Sequence, residues 1–286
     1  MSASTTQQDT TPVWFITGCS TGFGRDIARL VLERGWRAVV TARNPERLAD
    51  LVASHQGRAL ALPLDITLPA AIEEAAQKAE AHFGQIDVLV NNAGYGYFSA
   101  IEAGEDEEIR RMFETNVFGL AALIRRVLPG MRQRHAGHVF NFSSIGGLRS
   151  YPVVGYYNAT KFALEGLSEA LAQEVAPLGI RITIVEPGSF RTDFAGRSLG
   201  VSKTDIADYY ETAGAFLRQI RDRAGKEPGD PARAAAAVIS AFEAEQPPLR
   251  LLVGRDAYEA AMQHLDELRE NFDAWKAVST GTDYAG

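Results

Sequence analysis

The chain has 286 residues, 46% of them hydrophobic, with a formal net charge of −7 and one cysteine. That length and apolar share suffice for one large buried core. The acidic balance, without a long basic run, argues against a nucleic-acid partner, and one cysteine excludes an intrachain disulfide and suits a reducing compartment.

Residues 1–11 are polar, with neither a basic start nor an apolar segment, and are expected to form a disordered tail carrying no secretion signal. No run approaches the roughly 18 apolar residues that a membrane span needs, so a cytoplasmic protein is expected. The short apolar run Val13-Trp14-Phe15-Ile16 predicts a first strand. It leads into Thr17-Gly18-Cys19-Ser20-Thr21-Gly22-Phe23-Gly24 and an amphipathic helix over 24–34. Strand, glycine turn and helix make a phosphate cradle, because backbone N–H groups and the helix N-terminus face the anion. A second strand over 37–42 ends in Ala42-Arg43-Asn44. An acid there would bond a ribose 2′-hydroxyl, whereas Arg43 offers a planar cationic fork suited to a 2′-phosphate. NADP(H) is therefore expected over NAD(H).

Further strands are predicted at 59–64, 87–91, 137–143, 181–186 and 249–253, and further helices at 45–54, 69–83, 105–133, 155–176, 205–222, 231–244 and 255–273. Continuous apolar strands such as Val88-Leu89-Val90 suit a parallel sheet covered on both faces. The alternation predicts an α/β chain: one Rossmann domain over 12–275, with a doubly wound seven-stranded parallel sheet, helices on both faces, and a tail at 276–286. The acids Glu105-Asp106-Glu107-Glu108 read as helix-start chemistry. The histidines at 55, 82, 135, 138 and 264 are scattered, and no metal is expected.

Tyr157 and Lys161 stand four apart on a predicted helix and share a face, while Tyr156, five from the lysine, is turned elsewhere. A phenol titrates near ~10, and an adjacent ammonium is expected to lower that value, as a general acid/base requires. Ser144 closes the apolar run that begins at His138, at the C-terminal strand end where open α/β sheets bind ligands. Serine, tyrosine, lysine and glycine loop together point to hydride chemistry on a carbonyl or alcohol. Ser143 has no histidine and acid beside it in the sequence and is read as a strand-end hydroxyl.

In chain order, the TGxxxGxG loop, Asp65 in a DIT segment, Asn91-Asn92-Ala93-Gly94, Asn116, Ser144, the YxxxK pair and Pro187-Gly188 resemble the motifs of the short-chain dehydrogenase/reductase family, classical type, over roughly residues 12–255. GCSTGFGR, ETNVFG and EPGSFRTDF are most similar to its hydroxysteroid- and retinol-dehydrogenase-like branch. The resemblance implies hydride transfer between NADP(H) and a ketone, aldehyde or secondary alcohol. It implies that Tyr157 exchanges the proton, that Lys161 lowers the phenol's pKa and holds the nicotinamide ribose, and that Ser144 polarises the carbonyl. Asn116 would kink its helix and hold a water in a proton relay. For the cofactor it implies the loop residues Gly18, Ser20, Thr21, Gly22, Phe23 and Gly24, with Arg43 beyond them. Asp65 and Ile66 would lie at the adenine, and Asn92, Ala93 and Gly94 at the adenosine ribose. Pro187 and Gly188 would back the nicotinamide, and Thr192 would bond its carboxamide. A homodimer or homotetramer through helices 105–133 and 155–176 is also implied. Two loop residues depart from the family pattern: Cys19, small enough to fit, and Phe23, expected to pack against the cofactor.

Residues 189–226, with Phe190, Phe194, Tyr209, Tyr210 and Phe216, are expected to form a lid over the substrate. Tyr95, Tyr97, Phe98, Leu148, Tyr151 and Val153 follow predicted strand ends and would complete a lining for a bulky, apolar molecule. The alternatives are a catalytically silent NADP(H)-binding sensor and an epimerase or dehydratase. The complete serine–tyrosine–lysine set speaks against the first, and the TGxxxGxG spacing against the second.

Overall fold

The short apolar runs form strands and the stretches between them form helices in a computed structural model that describes residues 10–192, 199–204 and 206–284. Among the described residues the strands are β1 (Val13–Ile16), β2 (Arg37–Ala42), β3 (Ala59–Pro63), β4 (Val88–Asn91), β5 (Gly96–Phe98), β6 (Gly137–Phe142), β7 (Ile180–Pro187), β8 (Leu199–Val201) and β9 (Arg250–Val253). The α-helices are α1 (Gly22–Glu33), α2 (Ala49–Ala53), α3 (Pro69–Phe83), α4 (Asp106–Phe113), α5 (Leu120–Arg134), α6 (Gly155–Val175), α7 (Ala215–Arg223), α8 (Pro231–Glu243), α9 (Arg255–Ala274) and α10 (Lys276–Thr280). Seven strands pair in parallel in the order β3-β2-β1-β4-β6-β7-β9, as expected.

Both faces of this sheet are covered, which is why its central strands are apolar without alternation. Trp14 and Ile16 of β1 face α1 and α8, against Ile27, Val31, Leu32, Val238 and Ile239. Val13 and Phe15, their neighbours in sequence, face α3, α5 and α6, against Ile72, Leu123, Ile124 and Leu164. The strand order reverses between β1 and β4, so a crevice opens beyond their C-terminal ends.

Three predicted elements differ in detail. The helix predicted over 105–133 is broken by a π turn, Glu114–Gly119, between α4 and α5. The helix predicted over 205–222 is a 3₁₀ turn, a π turn and then α7, with residue 205 outside the described residues. The predicted tail at 276–286 begins as α10. A separate two-stranded parallel sheet, β5 with β8, was not foreseen. Residues 1–9 of the expected N-terminal tail, and Phe194 of the expected lid, lie outside the described residues. No described helix is long and apolar enough to cross a membrane.

Candidate active site

The glycine loop owes its path to backbone geometry. Gly18 and Gly22 hold φ of +73° and +60°, which L side chains rarely adopt. Gly24 is constrained by space: a Cβ there would sit 2.5 Å from Asn92 Nδ2 and 2.6 Å from the Gly18 carbonyl oxygen. The loop is tied to the end of β4, where Asn92 Nδ2 donates to the carbonyls of Thr17 (2.8 Å) and Gly18 (3.2 Å). Thr17 Oγ1 accepts from the amides of Asn92 and Ala93, both at 2.9 Å. Asn92 is thus a brace for the loop, and Thr17, which the sequence reading did not single out, is its counterpart.

Among the described residues, the side chain of the N-cap residue Thr21 makes no capping hydrogen bond, and no acid lies in the first turn of α1. It faces a cleft of about 550 Å³ lined by Ser20, Thr21, Gly22, Arg25, Arg191 and Thr192 among others. The amides of a helix N-terminus, with Arg25 and Arg191 in the lining, fit a pyrophosphate. The structure therefore suits a dinucleotide at this crevice.

The other predicted cofactor residues divide by where their side chains go. Arg43 is exposed at the end of β2, in no hydrogen bond or ion pair among the described residues, and its charge acts on the Tyr95 phenol. Asp65 turns the chain, its Oδ1 accepting from Thr67 N (3.0 Å) and Oγ1 (2.7 Å). Ile66 buries its side chain in the core, leaving only its backbone for a ligand. Gly188 is bonded to Val253 O at 2.9 Å and is closely approached by the Asp256 carboxylate, which also accepts from Ser189 N at 2.7 Å. Phe23 departs from expectation. Its ring packs on Phe142 and Phe190, with centroids 5.6 and 5.2 Å away, because apolar rings of the protein already offer it a dry neighbour. Cys19 is fully buried, and burial pushes its thiol up to about 12, so it is no nucleophile.

Ser144, Tyr157, Lys161 and Asn116 converge at the C-terminal end of β6. Ser144 caps a 3₁₀ turn by accepting from Gly146 N at 3.0 Å, and its hydroxyl bonds to the Tyr157 phenol. Lys161 is buried, donates to Phe142 O at 2.8 Å, and lies 5.6 Å from the centre of the Tyr157 ring. Asn158 ties the serine turn to α6 by donating to Gly146 O (2.8 Å) and accepting from Tyr151 N (3.1 Å). Asn116 sits in the π turn, where Nδ2 donates to Tyr95 O (2.9 Å) and Thr160 Oγ1 (3.2 Å) and Oδ1 accepts from Tyr95 N (3.1 Å). Tyr156 points away, to Ile101 O.

The electrostatics of the pair differ from the sequence expectation. Burial raises the Tyr157 phenol to about 12, with the Ser144 hydroxyl pulling the other way. Burial also lowers the Lys161 ammonium to about 8, partly opposed by the charge of Glu165. Desolvation outweighs the attraction expected between them, because the ammonium is drawn under the ring to a main-chain carbonyl. The Tyr157 phenol is thus neutral at pH 7.

An apolar cluster abuts that phenol. Phe98, Val153, Val154 and Ala213 form its buried part, with Tyr151, Tyr157, Tyr209, Phe216, Leu217 and Ile220 packed around them. Val153 adopts φ +66°, a strained conformation for a β-branched residue and one that clusters at functional sites. Of the predicted lining, Tyr97 is instead buried with its hydroxyl on Glu105, Phe190 packs at the nucleotide end, and Tyr210 is exposed beneath Arg218.

The family model described as short chain dehydrogenase matches residues 12–199. An oxidoreductase of Botryotinia fuckeliana is 39% identical over 270 residues, covering 94% of this chain and 98% of that protein. A 3-ketodihydrosphingosine reductase of Bacteroides thetaiotaomicron is 36% identical, over 84% of this chain and 86% of its own length. Human retinol dehydrogenase 8 is 34% identical over 82% and 79%. Among solved structures, a short-chain dehydrogenase from Streptomyces avermitilis superposes with a TM-score of 0.90 at 45% identity, covering 96% of this chain and 99% of that one. A 3-ketoacyl-(acyl-carrier-protein) reductase from Brucella melitensis complexed with NADH has a TM-score of 0.69 at 27% identity, over 85% and 96%. An alcohol dehydrogenase from Thermococcus sibiricus complexed with 5-hydroxy-NADP has 0.71 at 25%, also over 85% and 96%.

Proposed function

We propose a reaction from one premise: the chain belongs to the short-chain dehydrogenase/reductase family, NAD(P)-dependent enzymes acting on CH–OH or C=O groups. It transfers a hydride between NADP(H) and a bulky, apolar ketone, aldehyde or secondary alcohol. The observation that carries this reading is the Ser144–Tyr157 hydrogen bond, with Lys161 beneath the ring and the Phe98–Val153 cluster against it.

The bound dinucleotide supplies or accepts the hydride. Gly18, Ser20, Thr21, Gly22 and Gly24 would hold its phosphates at the N-terminus of α1. Asp65, Asn92, Ala93 and Gly94 would border the adenosine, Pro187 and Gly188 would back the nicotinamide, and Thr192 would meet its carboxamide. The exposed guanidinium of Arg43 would receive the 2′-phosphate, which favours NADP(H). Ser144 donates to the substrate oxygen and orients it. Tyr157, neutral and desolvated, gives that oxygen its proton in reduction. Lys161 stabilises the phenolate left behind, and Asn116 shapes the π turn that leads a proton path to Lys161. The substrate is apolar because its wall is, and relatives named for 3-ketodihydrosphingosine and retinol agree with that.

The exposed Phe118, Phe162 and Leu167 on the α5 and α6 side support pairing of two copies through those helices. Sedimentation would read a dimer or tetramer, and a monomer at micromolar concentration would refute it.

The test of the reaction is Tyr157→Phe. Turnover of NADPH with a ketone panel should fall about 10²–10⁴-fold while NADPH affinity stays within about twofold. A variant that keeps most of its rate overturns the assignment.

A further inference from the structure

One helical turn beyond Lys161, Glu165 of α6 turns inward and is buried. Beside it, at the end of β7, Glu186 has no exposed surface. Both carboxylates accept from one nitrogen, Nη1 of Arg250 on β9: Glu186 Oε1 at 2.6 Å, and Glu165 Oε2 in a closer contact. Arg250 Nη2 reaches Glu169 Oε1 at 2.6 Å. One guanidinium therefore faces three carboxyl groups, two of them buried against each other. No donor among the described residues reaches Glu186 Oε2. A buried carboxylate oxygen without a donor is costly, and a single proton held between two touching carboxyls removes both the orphan and one of the like charges.

Resting on the reading of Lys161 as the cation that stabilises the Tyr157 phenolate, we propose that Glu165 and Glu186, clamped by Arg250, share one proton and act as positioning residues for Lys161. The pair carries one negative charge while it holds that proton and two once it loses it. Glu165 lies i+4 from Lys161, about 5–6 Å between Cβ atoms on a helix. A charge there keeps the ammonium protonated and drawn to Phe142 O. Burial together with the neighbouring Glu165 charge raises Glu186 to about 7, and burial raises Glu165 as well. The second charge thus arrives as Lys161 would begin to lose its proton near 8.

The other groups facing this pocket are few. On α6 they are Lys161, Glu169 and the Ser168 hydroxyl, which bonds Asn141 of β6 at 2.8 Å. The Ser143 hydroxyl approaches Glu165 from the end of β6, and Arg250 comes from β9. The acids of α9, which packs on β9, are engaged elsewhere: Asp256 with Ser189 N and Glu267 with Arg149. Arg250 is the cation paired with the two buried acids.

The experiment is the pH profile of kcat/KM for ketone reduction in wild type, Glu165→Gln and Glu186→Gln. Wild type should lose rate above about pH 8, where Lys161 deprotonates. Glu165→Gln should move that alkaline limb down by about one pH unit, and Glu186→Gln by less, because it leaves Glu165 charged. Glu165→Asp should restore most of the shift. A uniform loss of rate with the wild-type limb intact would mean a merely structural role and overturn the proposal. A readout independent of activity is carboxyl-carbon NMR of the wild-type chain labelled at glutamate. Two glutamates should titrate together, one of them near pH 7. If every glutamate titrates below about 5.5, no shared proton exists and the proposal fails, whatever Tyr157→Phe reveals about the reaction itself.

Discussion

The nucleotide end and the substrate end of this crevice are built by different means. At the nucleotide end the determinants are local: two left-handed glycines, a third with no room for a Cβ, and a threonine–asparagine brace. At the substrate end, β8 and the helix after it are held over the sheet by residues about a hundred positions away. Ser202 N donates to Phe98 O at 2.9 Å, Ser202 Oγ to Ala103 O at 2.7 Å, and Tyr209 OH to Glu102 at 2.8 Å. The first design tolerates almost no substitution, whereas the second is a set of replaceable polar contacts around an apolar patch. A family that keeps its cofactor and changes its substrates needs that division.

The sharpest way to break the comparison is a pair of glycine substitutions, one at each end. Gly24→Val should abolish NADP(H) binding measured by cofactor fluorescence, because the obstacles are the Gly18 carbonyl and the amide that braces it. Gly200→Ala in β8 would meet the edge of the Tyr97 ring at 3.3 Å and the Gly96 carbonyl oxygen at an ordinary 3.7 Å, and should leave cofactor affinity within about twofold. If Gly24→Val still bound NADPH, backbone geometry would not be what shapes that end. Next in size is Asn92→Ala. It orphans two carbonyls and should cost about 1–3 kcal/mol in urea unfolding, with weaker NADP(H) binding. Wild-type stability and affinity in this variant would remove Asn92 from the brace.

The same division explains what could be read from the sequence. Gly18, Gly22, Ser144, Tyr157 and Lys161 were legible because turns and helix spacing depend on residues within a few positions of each other. The seven parallel strands were legible because burial on both faces leaves continuous apolar runs. The β5–β8 pairing was not, since Gly96-Tyr97-Phe98 and Leu199-Gly200-Val201 are too short to carry a period. The π turn at Glu114–Gly119 was marked only through the family resemblance, as a kink at Asn116, because no local residue pattern separates a widened turn from an ordinary helical one. Burial also escaped the sequence reading. Spacing brought Tyr157 and Lys161 to one face but could not tell that desolvation, and not their attraction, governs the phenol. The Glu165–Glu186–Arg250 cluster, drawn from three separated segments, left no local trace.

Arg43 sharpens the comparison from the cofactor side. Its exposed guanidinium is uncommitted among the described residues, so Arg43→Ala should cost the fold little. Losing a charged contact worth about 1.5–3 kcal/mol should weaken NADPH at least about tenfold and leave NADH nearly unchanged. Equal losses for both dinucleotides would assign the preference elsewhere.

The smallest expected effect belongs to the substrate end and rests on Glu105. Its carboxylate accepts from the Tyr97 hydroxyl, from Lys203 N at 3.0 Å and from Ser202 Oγ at 3.1 Å, while its own amide donates to Tyr97 OH at 3.0 Å. It is half-buried, so each bond contributes about 0.5–1.5 kcal/mol and water can replace part of the loss. Glu105→Ala should therefore loosen the segment over 199–223 without unfolding the domain. If that segment closes on substrate as a lid, KM for an apolar ketone should rise about two- to tenfold, with NADPH affinity unchanged and kcat within about twofold. Limited proteolysis should cut the variant faster between 199 and 223, and NADPH with substrate should slow the wild-type cut. An unchanged KM with unchanged cutting would mean that the contacts at Glu105 do not govern closure, and that the substrate end is as firmly built as the nucleotide end.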